Sequence, residues 1–197
     1  MSLSKIRAFP ITGHGVDGFP TLGTPIALIT LGVGESEVNN ISFSLTPTTT
    51  EKTLNADDKQ EKHTAVIGYE GSIEAYGIDA TAIAALFGAT KDADGNIVHV
   101  VNGAEKPVCL FLQGQNTKGK KFQKWLYEVV FKPLADELKT QTDTAESIKL
   151  EFTGKVLEVT LDSESASVTG ATVYDGTDGF IEGEPSAADL YKGNFGA

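Results

Sequence analysis

The sequence is poor in the residues that build cross-links and metal cages, with one cysteine and three histidines among 197 residues. Because Cys109 stands alone, it has no partner for an intrachain disulfide and no companions for a zinc or iron–sulfur site. The longest apolar run, Ile26–Leu31, is far shorter than the roughly 20 residues that span a bilayer. Met1–Pro10 lacks the apolar core of a secretory signal. We therefore expect no membrane segment and synthesis in a cytoplasm.

Positive charge is also scarce, since 16 Lys and Arg residues stand against 27 Asp and Glu residues, for a formal net charge of −11. This balance argues against a protein that grips nucleic acid by its phosphates, because such binding needs basic clusters. Hydrophobic residues make up 40% of the chain, which is enough for a core. The length fits one domain, or one domain with an arm.

Glycine and β-branched residues are frequent and helical periodicity is rare, which predicts short strands joined by turns. Apolar and polar side chains alternate along Val38–Leu45 and Thr64–Tyr76, as in strands with one wet face. Another strand is expected in Ser147–Leu161, where the apolar parity reverses part-way. A one-residue slip explains such a reversal, so the sequence predicts a bulge at Gly154–Lys155.

The aromatic segment Phe122–Phe131 has two partly apolar faces. Strict alternation would place Trp125, Tyr127, Val129 and Phe131 on one face. The opposite face is only half polar, which predicts a strand covered on both sides. A neighbouring subunit is one candidate for the second cover.

One helix is expected, at Ala80–Phe87, between an N-cap at Asp79 and Gly88. Ile83 and Phe87 lie four positions apart, so a single apolar stripe can pack on a sheet. The sequence thus predicts a mainly β fold. It is an antiparallel β-sandwich or split barrel with one short flanking α-helix, a long inter-strand loop and extended terminal arms.

The loop and the arms are expected in the most polar parts of the chain. Thr46–His63 has Leu54 as its only large apolar side chain, which predicts a long connection with a functional role or high mobility. Residues 162–197 carry seven acidic residues and one Lys and are interpreted as an acidic extended arm that orders only against something else. The domain is placed at residues 1–161, with residues 1–29 as a candidate N-terminal arm.

Two segments match binding motifs in part. Gly13–Gly18 has the GxGxxG spacing, but the Pro-containing segment Phe19–Pro25 follows where a dinucleotide site needs a helix. Asp92–Asn96 matches the first ligand positions of a calcium loop, but Ile97 and Gly103 occupy the places of its glycine and its bidentate glutamate. A flexible loop and a hairpin turn are the favoured interpretations.

Catalytic and metal chemistry is not expected. His14, His63 and His99 are isolated in the sequence, and Cys109 lies in an apolar strand, Val108–Leu112, as a small buried hydrophobe would. The sequence contains no GxSxG elbow. We expect no enzyme activity, no metal and no cofactor.

A basic turn at Thr117–Lys121 precedes Phe122, Lys124 and Trp125. Lysines beside aromatic rings are typical of surfaces that bind single-stranded nucleic acid. The favoured alternative is a solvated turn followed by a half-buried strand, since the surrounding charge is negative.

Taken in order, these segments resemble the major tail protein, or tail tube protein, of bacteriophages with long, non-contractile tails. The resemblance runs from about Thr30 to Leu161 and rests on the order and spacing of its pieces. The pieces are a polar strand pair around Ile41–Leu45 leading to TLNADD at Thr53–Asp58, VIGYEGSIEAYGID, the short helix ending in ALFG at Ala85–Gly88, the DADGN turn, FQKWLYEVVFKP at Phe122–Pro133, and SIKLEFTGKVLEV at Ser147–Val159.

The resemblance implies a subunit of hexameric rings that stack into a hollow tube, the conduit for DNA into the host. Its partners would be copies of itself and the tape measure, terminator and distal tail proteins. DNA would pass through the lumen without specific binding, and no membrane would be involved. The protein would be assembled in the host bacterial cytoplasm and located in the virion tail, with both terminal arms clasping neighbouring subunits.

Two groups of residues are candidates for specific roles in such a tube, one for contact between rings and one for the lining of the bore. The long polar loop is the candidate inter-ring contact, with Thr48, Glu51, Asn55, Asp57, Asp58 and Lys59. An acidic bore would repel phosphate and let DNA slide. Its candidates are the strand carboxylates Glu70, Glu74, Glu151 and Glu158, for which solvated positions on the outer face are the alternative.

Two other functions fit the same pattern. The inner tube of a contractile tail or injection apparatus shares the ring architecture. A β-sandwich surface or carbohydrate-binding module would stay monomeric and would need clustered exposed aromatic rings. The single tryptophan, Trp125, lies within a strand and gives that module little support.

Overall fold

The structure is a computed structural model. It describes residues 2–30, 42–56, 59–75, 80–87, 90–91, 97–98, 106–132, 148–161 and 163–193. Several sequence predictions lie wholly or partly outside these residues, among them the start of a strand at Val38, the inter-ring candidates Asp57 and Asp58, the cap at Asp79, the turn at Asp92–Asn96, and His99.

The described elements are thirteen strands, one α-helix and one 3-10 turn. The strands are β1 (Ser2–His14), β2 (Pro20–Leu22), β3 (Ile26–Thr30), β4 (Ser42–Ala56), β5 (Lys59–Ala75), β6 (Thr90–Lys91), β7 (Ile97–Val98), β8 (Val108–Gln115), β9 (Lys121–Phe131), β10 (Ile148–Lys155), β11 (Leu157–Leu161), β12 (Glu164–Val168) and β13 (Gly170–Tyr174). Helix α1 covers Ala80–Phe87 and the 3-10 turn covers Ala187–Asp189, so the helix lies where its residues predict it.

Nine of the strands form one antiparallel sheet with the order β2-β1-β8-β9-β10-β5-β4, while β3 pairs with β1 and β13 pairs with β9. The mainly β prediction is confirmed. Strand β1 pairs with β8 from Ser2 to Pro10 and therefore lies inside the sheet, which differs from the expectation of an N-terminal arm. Four consecutive residues, 6–9, are buried, with Ile6 and Ala8 in one core and Phe9 in another, as expected for a strand that is covered on both faces.

Strand β9 carries the two faces that the sequence predicts, but a bulge divides them. Val108 pairs with Val129 and Leu110 pairs with Leu126, so β9 has one more residue than β8 in this interval. Trp125 therefore does not share a face with Val129, contrary to strict alternation. Leu126 and Val129 belong to a first core, and Trp125 belongs to a second core on the opposite face.

The first core joins the strands to helix α1. It includes Ile6, Leu110, Leu126, Ile73 and Phe152 from five strands of the sheet, all nearly or fully buried. Ala82 and Leu86 of the helix pack on it. Burial of this apolar surface is the main stabilising contribution on this face.

The second core covers the other face of β1, β8 and β9. Phe9, Phe111 and Trp125 lie in it, and β11, β12 and the C-terminal residues pack above them. The sequence predicts that β9 is covered on both sides, with a neighbouring subunit as one candidate for the second cover. In the structure, residues of the same chain cover that second face.

The parity reversal in Ser147–Leu161 has a different cause from the expected bulge. Strand β10 ends at Lys155, Val156 lies between strands, and β11 begins at Leu157. Strand β11 then pairs with β12 in a separate two-stranded sheet. The chain leaves one sheet for another, so its apolar side chains turn to a new core.

The C-terminal segment also differs from the expected extended arm. Strand β12 pairs with β11, and β13 pairs with β9 from Phe122 to Leu126. Residues 180–193 follow as an irregular segment on the second core. Its isolated aromatic and aliphatic side chains find their partners far away in sequence, which is why no local pattern predicts the docking.

Candidate functional site

Among the described residues, one side of the sheet ends in a long edge strand. Strand β4 is 15 residues long and is the last strand in the sheet order. In the described part of the chain it pairs with β5 alone. Pro47 lies within it, and a proline is tolerated in an edge strand, where one backbone side needs no donor. Such an edge is a template for pairing with another chain.

Beyond the sheet, β4 and β5 continue as a two-stranded ribbon. Strand β10 pairs with β5 between Gly68 and Ala75, and for residues 59–67 the described part of the chain provides β4 as the one pairing strand. Thr48 pairs with Gly68 and Thr49 pairs with Val66, which makes Ile67 the extra residue of a bulge. Bulges bend a strand, and this one lies where the ribbon leaves the sheet.

The bulge also exposes two apolar side chains. Val66 is 51% exposed and Ile67 is 56% exposed. Isolated two-stranded hairpins are at best marginally stable in water. A partner surface that covers these two residues would therefore stabilise the ribbon.

The expected inter-ring loop is this ribbon, so the prediction of a loop is wrong. Thr48 and Glu51 are exposed on β4, and Asn55 and Lys59 lie in the paired strands near the tip. Asp57 and Asp58 lie outside the described residues. With polar residues on both faces, the ribbon carries no hydrophobic alternation, which explains why the sequence pattern suggests a loop.

Three of the four candidate bore carboxylates share one polar sheet face. Across β5 and β10, Glu74 pairs with Lys149 and Glu70 pairs with Thr153, while Glu151 pairs with Ser72. Because these positions have the same parity, their side chains lie on one face, opposite the first core.

This polar sheet face is ion-paired rather than purely acidic. Lys149 Nζ lies 2.8 Å from Glu151 Oε1, and Lys132 Nζ lies 4.0 Å from both Glu70 and Glu151. The hydrogen bond from Lys149 lowers the pKa of Glu151 and correspondingly raises the pKa of Lys149. Both groups therefore stay charged at neutral pH, and the lysines offset part of the negative field.

Glu158 is not part of this group. It lies on β11, in the separate two-stranded sheet, where Ser167 Oγ donates a 2.6 Å hydrogen bond to Glu158 Oε1. Alternation alone does not distinguish it from the other three, because the change of sheet at Val156 is a tertiary event.

The histidines and the cysteine do not form a catalytic set in the described residues. His14 Nε2 lies 3.5 Å from Glu128 Oε2, and Lys155 Nζ lies 3.2 Å from the other oxygen of that carboxylate. His63 is exposed on the ribbon. Cys109 is fully buried, and burial raises the pKa of its thiol. The described residues contain no group of three or more His, Cys, Asp or Glu that fits a metal ion.

Each of the two remaining sequence motifs forms a turn, but strand β9 after the basic turn is buried and not half-buried as expected. In the glycine-rich segment, Gly18 N donates to Gly15 O and strand β2 follows, so no helix opens there. In the basic turn, Asn116 Oδ1 accepts hydrogen bonds from the backbone of Lys118 and Lys120. Trp125 is buried and cannot stack on a base.

Comparison with protein-family models and with curated proteins finds no match to this chain. Within the described residues, no helix has the length and apolarity needed to cross a membrane.

Proposed function

We propose that this protein is a tail tube protein, which assembles into stacked hexameric rings in the virion of a long-tailed bacteriophage and forms the conduit for DNA. The observation that carries the proposal is the open edge of β4 together with the bent ribbon that exposes Val66 and Ile67. The order of segments that resembles this family supports it independently.

Self-assembly accounts for features that are hazards in a monomer. A long edge strand that pairs on one side only among the described residues, and two adjacent exposed apolar side chains, promote association. When the edge of one copy pairs with a different surface of the next, the association is heterologous and builds closed rings or open filaments. A ribbon that projects from the sheet suits contact with the next ring.

The polar sheet face suits the wall of a passage. Its carboxylates repel phosphate, while ion pairs with Lys132 and Lys149 hold the side chains in place. DNA that meets such a wall is not bound by counterion release, which needs unpaired basic groups. Synthesis in the bacterial cytoplasm and location in the virion tail follow from this proposal.

The test is electron microscopy and light scattering of the purified full chain over a range of concentrations. The wild type is expected to form rings or tubes. The double variant Val66→Glu, Ile67→Glu is expected to remain monomeric and folded, because charges would be buried on assembly. The matched control is Val16→Glu, a change at another exposed valine, far from the ribbon in sequence.

The alternatives give different outcomes in the same experiment. A tube that captures a sheath protein would identify the inner tube of a contractile apparatus. A monomer at every concentration that binds glycans would identify a carbohydrate-binding module. A folded wild-type protein that never associates would refute the proposal.

A further inference from the structure

The turn between β8 and β9 concentrates positive charge in an otherwise acidic chain. Residues 106–127 contain five lysines and no acidic residue, whereas the whole chain has a formal net charge of −11. Lys118, Lys120 and Lys121 are exposed. Within the described residues, neither these three lysines nor Lys124 of β9 form an ion pair with a carboxylate. The lysines of the polar sheet face, in contrast, are paired with glutamates.

The backbone of this turn is held by its own hydrogen bonds. Asn116 Oδ1 accepts hydrogen bonds from Lys118 N at 2.9 Å and from Lys120 N at 3.0 Å. Asn116 N donates to the Lys120 carbonyl at 3.0 Å, and Gly119 provides the left-handed residue with a φ of 76°. The backbone that carries the lysines is therefore ordered before any ligand binds, which reduces the entropy lost on binding.

An exposed aromatic ring lies against the turn. Tyr174 is the last residue of β13 and is 43% exposed, and Lys120 Nζ lies 5.0 Å from the centroid of its ring. Tyr174 pairs with Phe122 and Thr172 pairs with Lys124, so alternation places Tyr174 and Lys124 on the same face of the sheet. The ring is thus flanked by Lys120 from the turn and by Lys124 from β9. Burial lowers the pKa of Lys124, which a nearby anion would raise again.

The structure changes which ring accompanies these lysines. Phe122 and Trp125, the rings next to them in sequence, are 6% and 0% exposed and have no free face for a ligand. Tyr174 takes their place because β13 pairs with β9. The sequence pattern shows the lysines but not this ring, since the pairing is a contact between distant segments.

We infer that this surface, which we name the basic turn site, binds single-stranded nucleic acid. It consists of Lys118, Lys120, Lys121, Lys124 and Tyr174. Single-strand sites combine lysines that contact the phosphates with an aromatic ring on which an unpaired base stacks, and every base offers a face for stacking. Binding at the basic turn site is therefore largely independent of sequence.

The exposed ring favours a single strand over two other anionic partners. In a duplex the bases are already stacked on each other, so only the phosphates remain for the lysines. An anionic membrane would need exposed apolar side chains beside the lysines. The other large hydrophobic residues that are exposed in the described chain, Val16, Val66 and Ile67, lie on different segments.

The acidic remainder of the chain sets the conditions for binding. Asp175 and Asp178 follow Tyr174, and the negative net charge repels phosphate at long range. We therefore expect binding to be clear at low salt and weak at physiological salt. The inference does not depend on the proposed function, because the site lies within one chain and shares no residue with the polar sheet face.

The experiment measures the fluorescence anisotropy of a labelled oligothymidine of about 12 nucleotides, titrated with the purified full chain at several salt concentrations. For three phosphate contacts, the logarithm of the binding constant should fall with the logarithm of salt concentration with a slope of about −2. Tyr174→Leu should weaken binding of the single strand about tenfold and leave binding of a duplex of equal length unchanged, because only an unpaired base can stack. Tyr174→Phe keeps the ring and should bind as the wild type does.

A pair of double variants tests the lysines at equal net charge. Lys118→Gln with Lys120→Gln should reduce the steepness of the salt dependence by about 1.4, since two phosphate contacts are lost. The matched control, Lys132→Gln with Lys149→Gln, removes the same charge from exposed lysines that are paired with glutamates, and it should keep the wild-type slope.

Three results would overturn the inference: no binding by the wild type at low salt, equal losses in the two double variants, or equal single-strand binding by Tyr174→Leu and the wild type. Binding to phosphatidylserine vesicles without binding to the oligonucleotide would assign the turn to a membrane and also overturn it.

A repeat in the Val66→Glu, Ile67→Glu variant separates the inference from assembly, and we expect binding to persist there. If the oligonucleotide binds and rings or tubes never form, the basic turn site stands and the proposed function fails. If tubes form and the oligonucleotide does not bind, the proposed function stands and the inference fails.

Discussion

The ring of Tyr69 fills the space that a side chain at Gly154 would occupy. The two residues are direct partners between β5 and β10, and a Cβ atom at Gly154 would overlap the tyrosine ring. An aromatic ring over a cross-strand glycine covers the backbone and fixes the register of the pair.

Tyr69 also marks the place where the sheet divides. Strand β9 has β8 on one side. On the other side it pairs with β10 at Val129–Phe131 and with β13 at Phe122–Leu126. The Tyr69 hydroxyl lies 3.4 Å from the Glu128 carbonyl and 3.3 Å from the Thr169 carbonyl, between these two pairings. The Tyr69 side chain thus fixes the register of β5 with β10, packs in the first core, and donates to backbone carbonyls where β9 changes its partner strand.

We expect Gly154→Ala to lower the free energy of unfolding by about 2–3 kcal/mol, because the added methyl group must displace the Tyr69 ring in a packed core. Urea unfolding of the full chain measures the change. The matched control is Gly13→Ala, since a Cβ atom there meets nothing within 4 Å. Equal stability of the two variants would contradict the overlap.

Glu184→Gln is expected to lower the free energy of unfolding at pH 7 by about 1 kcal/mol, because the buried guanidinium of Arg7 loses the charge of a carboxylate that is itself 62% exposed and therefore screened by water. Glu182→Gln, a change at an exposed neighbour in the same C-terminal segment, is the control and should have little effect.

The stability difference between the wild type and Glu184→Gln should also depend on pH. Partial burial raises the pKa of Glu184, but hydrogen bonds from Arg7 and Lys5 outweigh it and hold the pKa below its ordinary value of 4.5. A lowered folded pKa means that the stabilisation is present above pH 4.5 and is lost as the pH falls through the folded pKa. Unfolding midpoints of wild type and Glu184→Gln should therefore converge in acid, and a constant gap would rule out this pair as the cause.

Tyr127→Phe removes the hydroxyl that donates to the Tyr191 carbonyl at 2.7 Å. We expect the free energy of unfolding to fall by about 1 kcal/mol, the usual net contribution of one hydrogen bond. Tyr174→Phe, at a tyrosine that is 43% exposed, provides the comparison and should leave the unfolding midpoint unchanged. A loss of equal size in both variants would assign the effect to general packing.

The local sequence pattern predicts the secondary-structure elements of this fold better than it predicts which elements pair or pack together. Alternation identifies β10 and the part of β5 that begins at Thr64, a continuous apolar run identifies β8, and helix formers identify Ala80–Phe87. Alternation does not reveal the bulge that separates Trp125 from Val129, because an extra residue in one strand is defined only against its neighbour.

The contacts that hold residues 180–193 on the second core cannot be predicted from the sequence, for a related reason. Arg7 and Glu184 are 177 residues apart, and Gln123 lies in a run that reads as an ordinary strand. The only sequence signal is the presence of polar side chains, Arg7 and Gln123, in strands whose other residues are largely apolar. Polar residues at such positions indicate that a hydrogen-bond partner is present, but they do not indicate which residue the partner is.

The polar sheet face yields the sharpest test of the proposed passage. We expect assembled tubes of the double variant Glu70→Lys, Glu151→Lys to retain double-stranded DNA, whereas wild-type tubes release it. The added lysines would stand beside Lys132 and Lys149, which would lose Glu70 and Glu151 as ion-pair partners, and the resulting excess of positive charge would bind phosphate with release of counterions.

Retention should therefore fall steeply as salt rises, and co-sedimentation of DNA with tubes at several salt concentrations measures it. Glu158→Lys is the matched control, because Glu158 lies in the other sheet and its reversal should leave release unchanged. Both Glu70 and Glu151 are well exposed, so their replacement should spare the fold. Equal retention by the two kinds of tube would show that this face does not line the passage.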